Sequence, residues 1–204
     1  AVGACRSITR NAYAPDFSDS VSLRMKSANM LLYPVHEKTY TKDGSSGEVL
    51  AGGVQNKYTV DGNGNIVLSE VSEFLKDGSL CRLYSYKYNK GGRVVEETGR
   101  DNIPTAVHWD ADLTQPLVVA RGMTSVNLER AVAGGYSPLT LYKKPQCTNA
   151  EVTAFTHSPL VGITSMTRPD GYTLRYTYDG LGRLIRTYDG NGHTINEYRY
   201  NYGK

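Results

Sequence analysis

The sequence predicts a mainly β protein, built from successive antiparallel β-hairpins in a curved sheet with one or two short helices. Composition is the first reason: the 204 residues include 16 Tyr and 21 Gly but only 3 Phe and 1 Trp, and 39% are hydrophobic. Tyrosine favours half-buried pleated surfaces and glycine favours turns with positive φ, so many short strands joined by tight turns are expected. An internal repeat is the second reason, and the third is that helical spacing of apolar residues is confined to two short stretches.

A short motif recurs along the chain and defines the predicted hairpins. Its pattern is Tyr-x-(Tyr/Val)-(Asp/Asn)-x-x-Gly-(Arg/Asn)-apolar, found at 58–66, 86–94 and 176–184, with weaker versions at 188–193 and 198–201. The residues that carry the three full copies are Tyr58, Asp61, Gly64, Tyr86, Tyr88, Gly92, Arg93, Tyr176, Tyr178, Asp179, Gly182 and Arg183.

Each copy of the motif has a physical reading. Tyr-x-Tyr places two rings on one face of a strand, Asp or Asn starts a turn through its side chain, and Gly closes the turn. Hairpin turns are therefore predicted near 61–64, 89–92, 179–182 and 189–192. Because a lone hairpin is only marginally stable in water, the hairpins are expected to pack side by side through rows of Tyr.

A helix is predicted near the N-terminus. Residues 19–32 place apolar side chains at helical spacing, with Ser18 or Asp19 as the N-cap and Pro34 just beyond the end. The apolar positions are Val21, Met25, Ala28 and Leu32. The chain is accordingly divided into an N-terminal segment, 1–35, and a hairpin-repeat region, 36–204.

A second short helix and a strand pair are predicted in the middle of the chain. The helix spans Thr124–Ala133, with a cap at Thr124 or Ser125 and Gly134-Gly135 as its stop. The strand pair spans 104–121 around Trp109, with its turn at 112–116.

Charge, hydropathy and cysteine spacing exclude several classes of protein. The net charge of +3, from 23 basic and 20 acidic residues, is too small and too dispersed for nucleic-acid binding. No apolar run approaches the roughly 18 residues of a membrane helix, and the start lacks a signal-peptide pattern, which fits a processed or truncated N-terminus. Val2–Cys5 resembles a bacterial lipobox only loosely. Cys5, Cys81 and Cys147 have no metal-ligand spacing, so unpaired thiols are expected, although one bridge stays open.

No catalytic, cofactor-binding or metal-binding residue is predicted, and the chain is not expected to be an enzyme. The four His have no His or Cys partner at metal-ligand spacing, and no nucleophile motif occurs. Residues 61–65 alternate side-chain oxygens like a calcium loop, but an EF-hand needs Glu at loop position 12, where Ser72 stands. We interpret this stretch as a turn.

The motif resembles the signature of RHS/YD-repeat proteins of bacteria, and residues 176–184 match it without a departure. The similarity extends over most of 30–204 and is strongest from 153 onward, so the segment resembles the C-terminal portion of such a protein. The resemblance implies repeats that form a β-shell or an adhesive surface, in a secreted or outer-membrane-associated protein. That family's self-cleaving Asp-Pro-x-Gly signature is not matched, because Asp170 follows Pro169 here, so no catalytic residue is carried over.

The expected function is a non-catalytic, secreted or cell-surface scaffold that presents, shelters or binds a partner protein or further repeats of its parent chain. The alternative is a carbohydrate-binding module that uses exposed Tyr faces, and a remnant of an enzyme or toxin carrier is a third hypothesis. The last strand is predicted over 197–202, where Tyr198, Tyr200 and Tyr202 share a face and form a candidate partner-binding edge.

Overall fold

The computed structural model describes residues 5–43, 47–133 and 137–201 of the chain, without the side chains of Asp43 and Pro138. These residues form two α-helices and thirteen strands in successive antiparallel hairpins, so the predicted mainly β fold is confirmed. The chain divides into two compact units, Ala1–Asn102 and Ile103–Lys204. The division predicted at 35/36 falls inside the first unit.

The first unit contains six strands and one helix, and each strand pairs with the next along the chain. In chain order the elements are β1 (Cys5–Tyr13), a 3₁₀ turn (Ala14–Asp16), α1 (Ser20–Ser27), β2 (Pro34–Asp43), β3 (Val49–Val60), β4 (Ile66–Phe74), β5 (Leu80–Tyr88) and β6 (Val94–Thr98).

Helix α1 begins where the sequence predicts and ends earlier. The Asp19 carboxylate accepts the backbone N–H groups of Val21 and Ser22 at 3.0 Å, which makes it the N-cap. The predicted end at Leu32 is wrong, because Asn29 has a φ of 58°. The Asn29 N–H donates to Lys26 O, and the Met30 N–H donates to Met25 O, which together end the helix in a Schellman motif.

The second unit contains seven strands, again paired in chain order. Its elements are β7 (Pro104–Trp109), β8 (Pro116–Arg121), α2 (Ser125–Ala133), 3₁₀ turns (Pro138–Lys143 and Pro145–Cys147), β9 (Glu151–Ser158), β10 (Gly162–Thr167), β11 (Thr173–Tyr178), β12 (Leu184–Tyr188) and β13 (Thr194–Glu197).

The predicted strand pair and second helix are present in this unit. The turn between β7 and β8 begins at Asp110 rather than at 112, because the Asp110 carboxylate accepts the N–H groups of Thr114 and Gln115. Thr124 is the residue that caps α2, through a 3.4 Å bond from Asn127 N–H to its hydroxyl. The predicted stop at 134–135 lies outside the described residues.

An apolar cluster forms where α2 and the 3₁₀ turns pack against β7, β8 and β9. Leu128 of α2 and Val118 of β8 are completely buried within it. Its members are Ala106, Val118, Ala120, Met123, Leu128, Ala131, Leu141, Cys147, Val152 and Ala154. Neither described helix is long and apolar enough to cross a membrane.

The predicted position of the last strand, 197–202, is wrong. Strand β13 covers Thr194–Glu197, because the turn at 189–193 sets Thr194 opposite Tyr188 and Glu197 opposite Arg186. Strand β12 begins at Leu184, so little of it remains to pair beyond Glu197.

Candidate functional site

Four turns share one hydrogen-bond pattern, and each lies where the motif predicts a turn. They begin at Asp61, Asn89, Asp179 and Asp189. In the third, Asp179 N–H donates to Arg183 O at 2.9 Å and Gly182 N–H donates to Asp179 O at 3.0 Å. Asp179 Oδ1 also accepts the N–H groups of Leu181 and Arg183 at 2.9 and 3.0 Å. The other three turns make the same two side-chain bonds. The first residue of each motif turn therefore closes the turn with its own side chain.

The motif glycine is required by backbone conformation. Gly182 has a φ of 74°, in the left-handed region that other residues adopt at a cost. The corresponding glycines of the other turns, Gly64, Gly92 and Gly192, have φ between 74° and 89°.

The charged pair of the third motif copy lies within one turn. Arg183 Nε and Nη2 donate to Asp179 Oδ2 at 2.8 and 2.5 Å. These bonds, with the backbone N–H of Arg183, lower the pKa of the Asp179 carboxyl. The carboxylate is thus held by its own turn.

The calcium-like stretch is a turn of the same kind. Asp61 Oδ2 accepts a 3.0 Å bond from Asn65 Nδ2, and Oδ1 accepts the two backbone N–H groups. The amide of Asn65 is the largest cause that lowers the pKa of Asp61. Within the described ranges, no three His, Cys, Asp or Glu side chains gather as metal ligands.

Motif tyrosines bind the neighbouring strand through their hydroxyl groups. Tyr88 and Tyr178, each just before the first turn residue, donate to Leu68 O at 2.7 Å and to Ile163 O at 2.6 Å. Tyr58, three residues before its turn, donates to Pro34 O at 3.3 Å. Each ring is half-buried. These hydroxyls therefore join adjacent strands.

The remaining motif tyrosines, Tyr86 and Tyr176, are half-buried. Tyr86 stacks on Tyr84, with ring centroids 6.4 Å apart and an interplanar angle of 22°. Burial raises the pKa of Tyr86, with Glu97 as the next cause, and burial also raises the pKa of Tyr176.

The candidate edge tyrosines continue this pattern past β13. Tyr200 donates its hydroxyl to Leu184 O at 2.8 Å, and the guanidinium of Arg183 lies 4.5 Å from the centre of its ring. Tyr198 donates its N–H to Ile185 O. Tyr202 lies outside the described residues. Arg183 of the copy at 176–184 therefore contacts the weaker copy at 198–201.

Two further turns make the same backbone bonds as the motif turns but do not follow from the motif. They span 75–79 and 168–172, and in each the Asp accepts the N–H group two residues later, Ser79 or Tyr172. In both, Asp stands third in the turn rather than first, so neither turn matches the motif. The dipeptide Asp-Gly is the signal that would have found them.

The histidines and cysteines are dispersed. His108 Nδ1 pairs with Glu129 at 2.8 Å, and His193 Nδ1 pairs with Asp189 at 3.0 Å. All three cysteines are free, as expected. Burial raises the pKa of the Cys147 thiol.

Comparison with known proteins gives one family. Residues 162–194 match the family model of the RHS Repeat, which confirms the resemblance seen in the motif. A search of curated protein sequences found no match.

The solved structures that match this chain are much longer, and the chain spans about a tenth of their length. A crystal structure of TcdB2-TccC3-TEV is 13% identical, with a TM-score of 0.46, over 94% of this chain and 11% of that chain. The Photorhabdus luminescens Tc holotoxin pore is 12% identical, with a TM-score of 0.41, over 97% of this chain and 11% of that chain.

Proposed function

We propose that this chain, which carries an RHS repeat, is a non-catalytic scaffold, secreted or at the cell surface, that presents, shelters or binds a partner protein. The observation that carries the proposal is that the motif side chains form hydrogen bonds within the chain. Tyr178, Asp179 and Arg183 all bond to the chain itself, as turn closures or strand-to-strand contacts. Side chains engaged in this way support a role in building the sheet.

The open edge of the second unit supports a protein partner. Strand β13 pairs with β12, its one strand neighbour among the described residues, and all four of its residues are exposed. Unpaired backbone groups on an edge strand are a template for another strand. Ile195, 44% exposed, adds an apolar contact there.

The test is the mass of residues 1–204 in solution, measured by light scattering over a range of concentrations. We expect the mass to rise with concentration as edge strands pair. Ile195→Lys should lower it, because a charged edge strand resists pairing. Leu160→Lys is the matched control, since Leu160 is fully exposed in the turn between β9 and β10, away from the edge strand.

A mass that does not depend on concentration is the result opposed to this expectation. A monomer at every concentration, with cooperative unfolding at high temperature that deletion of 197–204 leaves unchanged, would overturn the proposal.

One observation favours carbohydrate binding as a second candidate. A groove of about 370 Å³ in the second unit is lined by Tyr176 and Tyr188 with Arg175, Thr164 and Thr177. Aromatic faces beside hydroxyl and guanidinium donors suit a sugar ring. Glycan-array binding that Tyr188→Ala abolishes, and that Tyr172→Ala outside the groove leaves intact, would favour this candidate over the scaffold.

A further inference from the structure

A cavity of about 390 Å³ lies between α1 and strands β2 and β3 of the first unit. Three of its walls are rings: Phe17, His36 and Tyr58. The His36 ring is fixed edge-to-face against Phe17, with centroids 5.2 Å apart, and against Phe74, with centroids 5.4 Å apart. Met25, 1% exposed, completes the wall from α1. Pockets of about 300–1,000 Å³ with mostly apolar walls are typical of ligand sites.

The cavity carries little available charge. Its one acid, Asp19, is engaged by two backbone N–H groups of α1 and by the Ser22 hydroxyl at 2.6 Å. Lys57 is exposed. Burial, with Lys38 as a second cause, lowers the pKa of His36 and so disfavours the charged ring. These surroundings favour an uncharged ligand.

Two lining amides leave acceptors for a ligand. The Gln55 amide nitrogen donates to His36 Nε2 at 3.0 Å, and the Asn56 amide nitrogen donates to Pro34 O at 3.1 Å. Their amide oxygens have no hydrogen bond to any residue in the described ranges. A ligand with an N–H or O–H donor could bond to either oxygen, and a hydrogen bond of this kind contributes about 0.5–1.5 kcal/mol.

An exposed tyrosine contacts one wall of the cavity. Tyr33 packs edge-to-face on Tyr58, with ring centroids 6.4 Å apart, and is 52% exposed. The preceding Leu31 and Leu32 are 41% and 85% exposed. A pocket next to an apolar surface is the setting in which one aromatic anchor residue dominates a protein interface.

We propose that this cavity binds the side chain of Trp or Tyr from a partner polypeptide. The ring would meet Phe17, His36 and Tyr58 edge-on, and its N–H or O–H would donate to the amide oxygen of Gln55 or Asn56. The residues that flank the anchor would cover Leu31 and Leu32. This inference rests on the proposed function and names the anchor of the partner.

The experiment is an NMR titration of the whole chain, which follows the Met25 methyl signal. The probes are N-acetyltryptophanamide, N-acetylphenylalaninamide, indole and a capped Leu-Trp-Leu tripeptide. We expect the Trp amide to bind about fivefold more tightly than the Phe amide, because only the former has a ring donor. The tripeptide should bind at least about tenfold more tightly than indole, because its flanks bury apolar surface.

Variants test the site itself. Val21→Phe fills the cavity and should abolish the titration. Val126→Phe is the control, since Val126 also stands second in its helix and is 55% exposed, in the second unit. The double variant Gln55→Met, Asn56→Leu should still bind rings but lose the preference for Trp over Phe. Thermal unfolding verifies that each variant is folded.

The outcomes separate this inference from the proposed function. Equal binding of the Trp and Phe amides, or no shift at Met25, would overturn the assignment of the cavity. Indole that binds as tightly as the tripeptide would overturn the polypeptide partner in favour of a free aromatic molecule. Neither result would change the light-scattering test of the open edge.

Discussion

The helix-covered part of the second unit and the hairpins that follow it are stabilised differently. Residues 104–154 contain the whole apolar cluster, with Leu128 and Val118 completely buried. In the described hairpins over 162–197, the buried residues are Ser165, Thr167 and Thr187, all with hydroxyl groups. One part excludes water with apolar side chains, and the other relies on turn bonds and tyrosine hydroxyls.

The difference follows from the helix and 3₁₀ turns that cover one part of the sheet. Strands β7 to β9 lie under α2 and the 3₁₀ turns, so their inner faces are apolar. Where no helix packs on the described strands β10 to β13, cross-strand hydroxyl pairs such as Thr167–Thr173, 3.0 Å apart, take that place. A net hydrogen bond contributes about 0.5–1.5 kcal/mol, less than a buried Leu side chain.

The largest expected effect is in the apolar cluster. Leu128→Ala should lower the free energy of unfolding by about 2–5 kcal/mol, because it leaves a cavity in a packed core. Leu181→Ala, in the turn between β11 and β12, should change it by less than about 0.5 kcal/mol, because Leu181 is 72% exposed. Urea unfolding of both variants measures the contrast, and equal losses would contradict it.

Gly171 lies in the turn between β10 and β11 and contacts Tyr142 of the helix-covered part. Compared with Gly182, it separates the effect of a positive φ from the effect of a steric clash. Gly171 and Gly182 have φ of 82° and 74°, but a Cβ on Gly171 would collide with the Tyr142 ring, whereas one on Gly182 would meet open space. Gly182→Ala should cost about 1–2 kcal/mol, the usual price of a left-handed alanine. Gly171→Ala should cost about 1–3 kcal/mol more, as overpacking does. Equal melting temperatures would show that Tyr142 moves aside freely.

Tyr178 tests the bond between hairpins. Tyr178→Phe removes the donor to Ile163 O and should lower the free energy of unfolding by about 0.5–1.5 kcal/mol. Tyr172→Phe is the control, because no hydrogen bond from its hydroxyl to a described residue is present and the side chain is 43% exposed. If the two losses are equal, the strand-to-strand role of Tyr178 is wrong.

The smallest expected effect is the pH dependence of the third motif turn. Folding lowers the pKa of Asp179, so the carboxylate stabilises the fold above its unfolded pKa of about 3.9 and loses that effect as pH falls through the folded value. Asp179→Asn should therefore reduce the loss of stability between about pH 6 and about pH 3. Asp112→Asn, at an exposed residue outside the motif turns, should leave the profile as in the parent chain. The urea midpoints of the parent chain and of both variants, measured at several pH values, show whether Asp179→Asn alone changes the pH dependence.

The sequence predicts features that depend on neighbouring residues. The turns at 61, 89, 179 and 189 follow from Asp or Asn and Gly at fixed spacing, since each turn closes on its own side chain. Helix α1 ends early because Asn29 adopts the left-handed conformation, which apolar spacing does not reveal. The limit of β13 depends on the length of β12, a tertiary property.

The two candidate sites also differ in whether the sequence can predict them. The motif residues recur within the sequence itself, and the structure shows what their hydroxyl and carboxylate groups bind. The cavity beside α1 combines Phe17 with residues 35–36 and 55–58, so only the pairing of β2 with β3 brings its walls together. No local pattern could predict it.

Native-state hydrogen exchange of residues 103–204 within the whole chain tests the central comparison most directly. We predict that amides of β8 and β9, under the apolar cluster, exchange only through global unfolding. Amides of β12 and β13 should exchange through local opening at a clearly lower free energy. Tyr178→Phe should lower that free energy further, without an effect on β8, because its hydroxyl joins β11 to β10. Equal protection of β8 and β13, with Tyr178→Phe affecting both alike, would contradict the account.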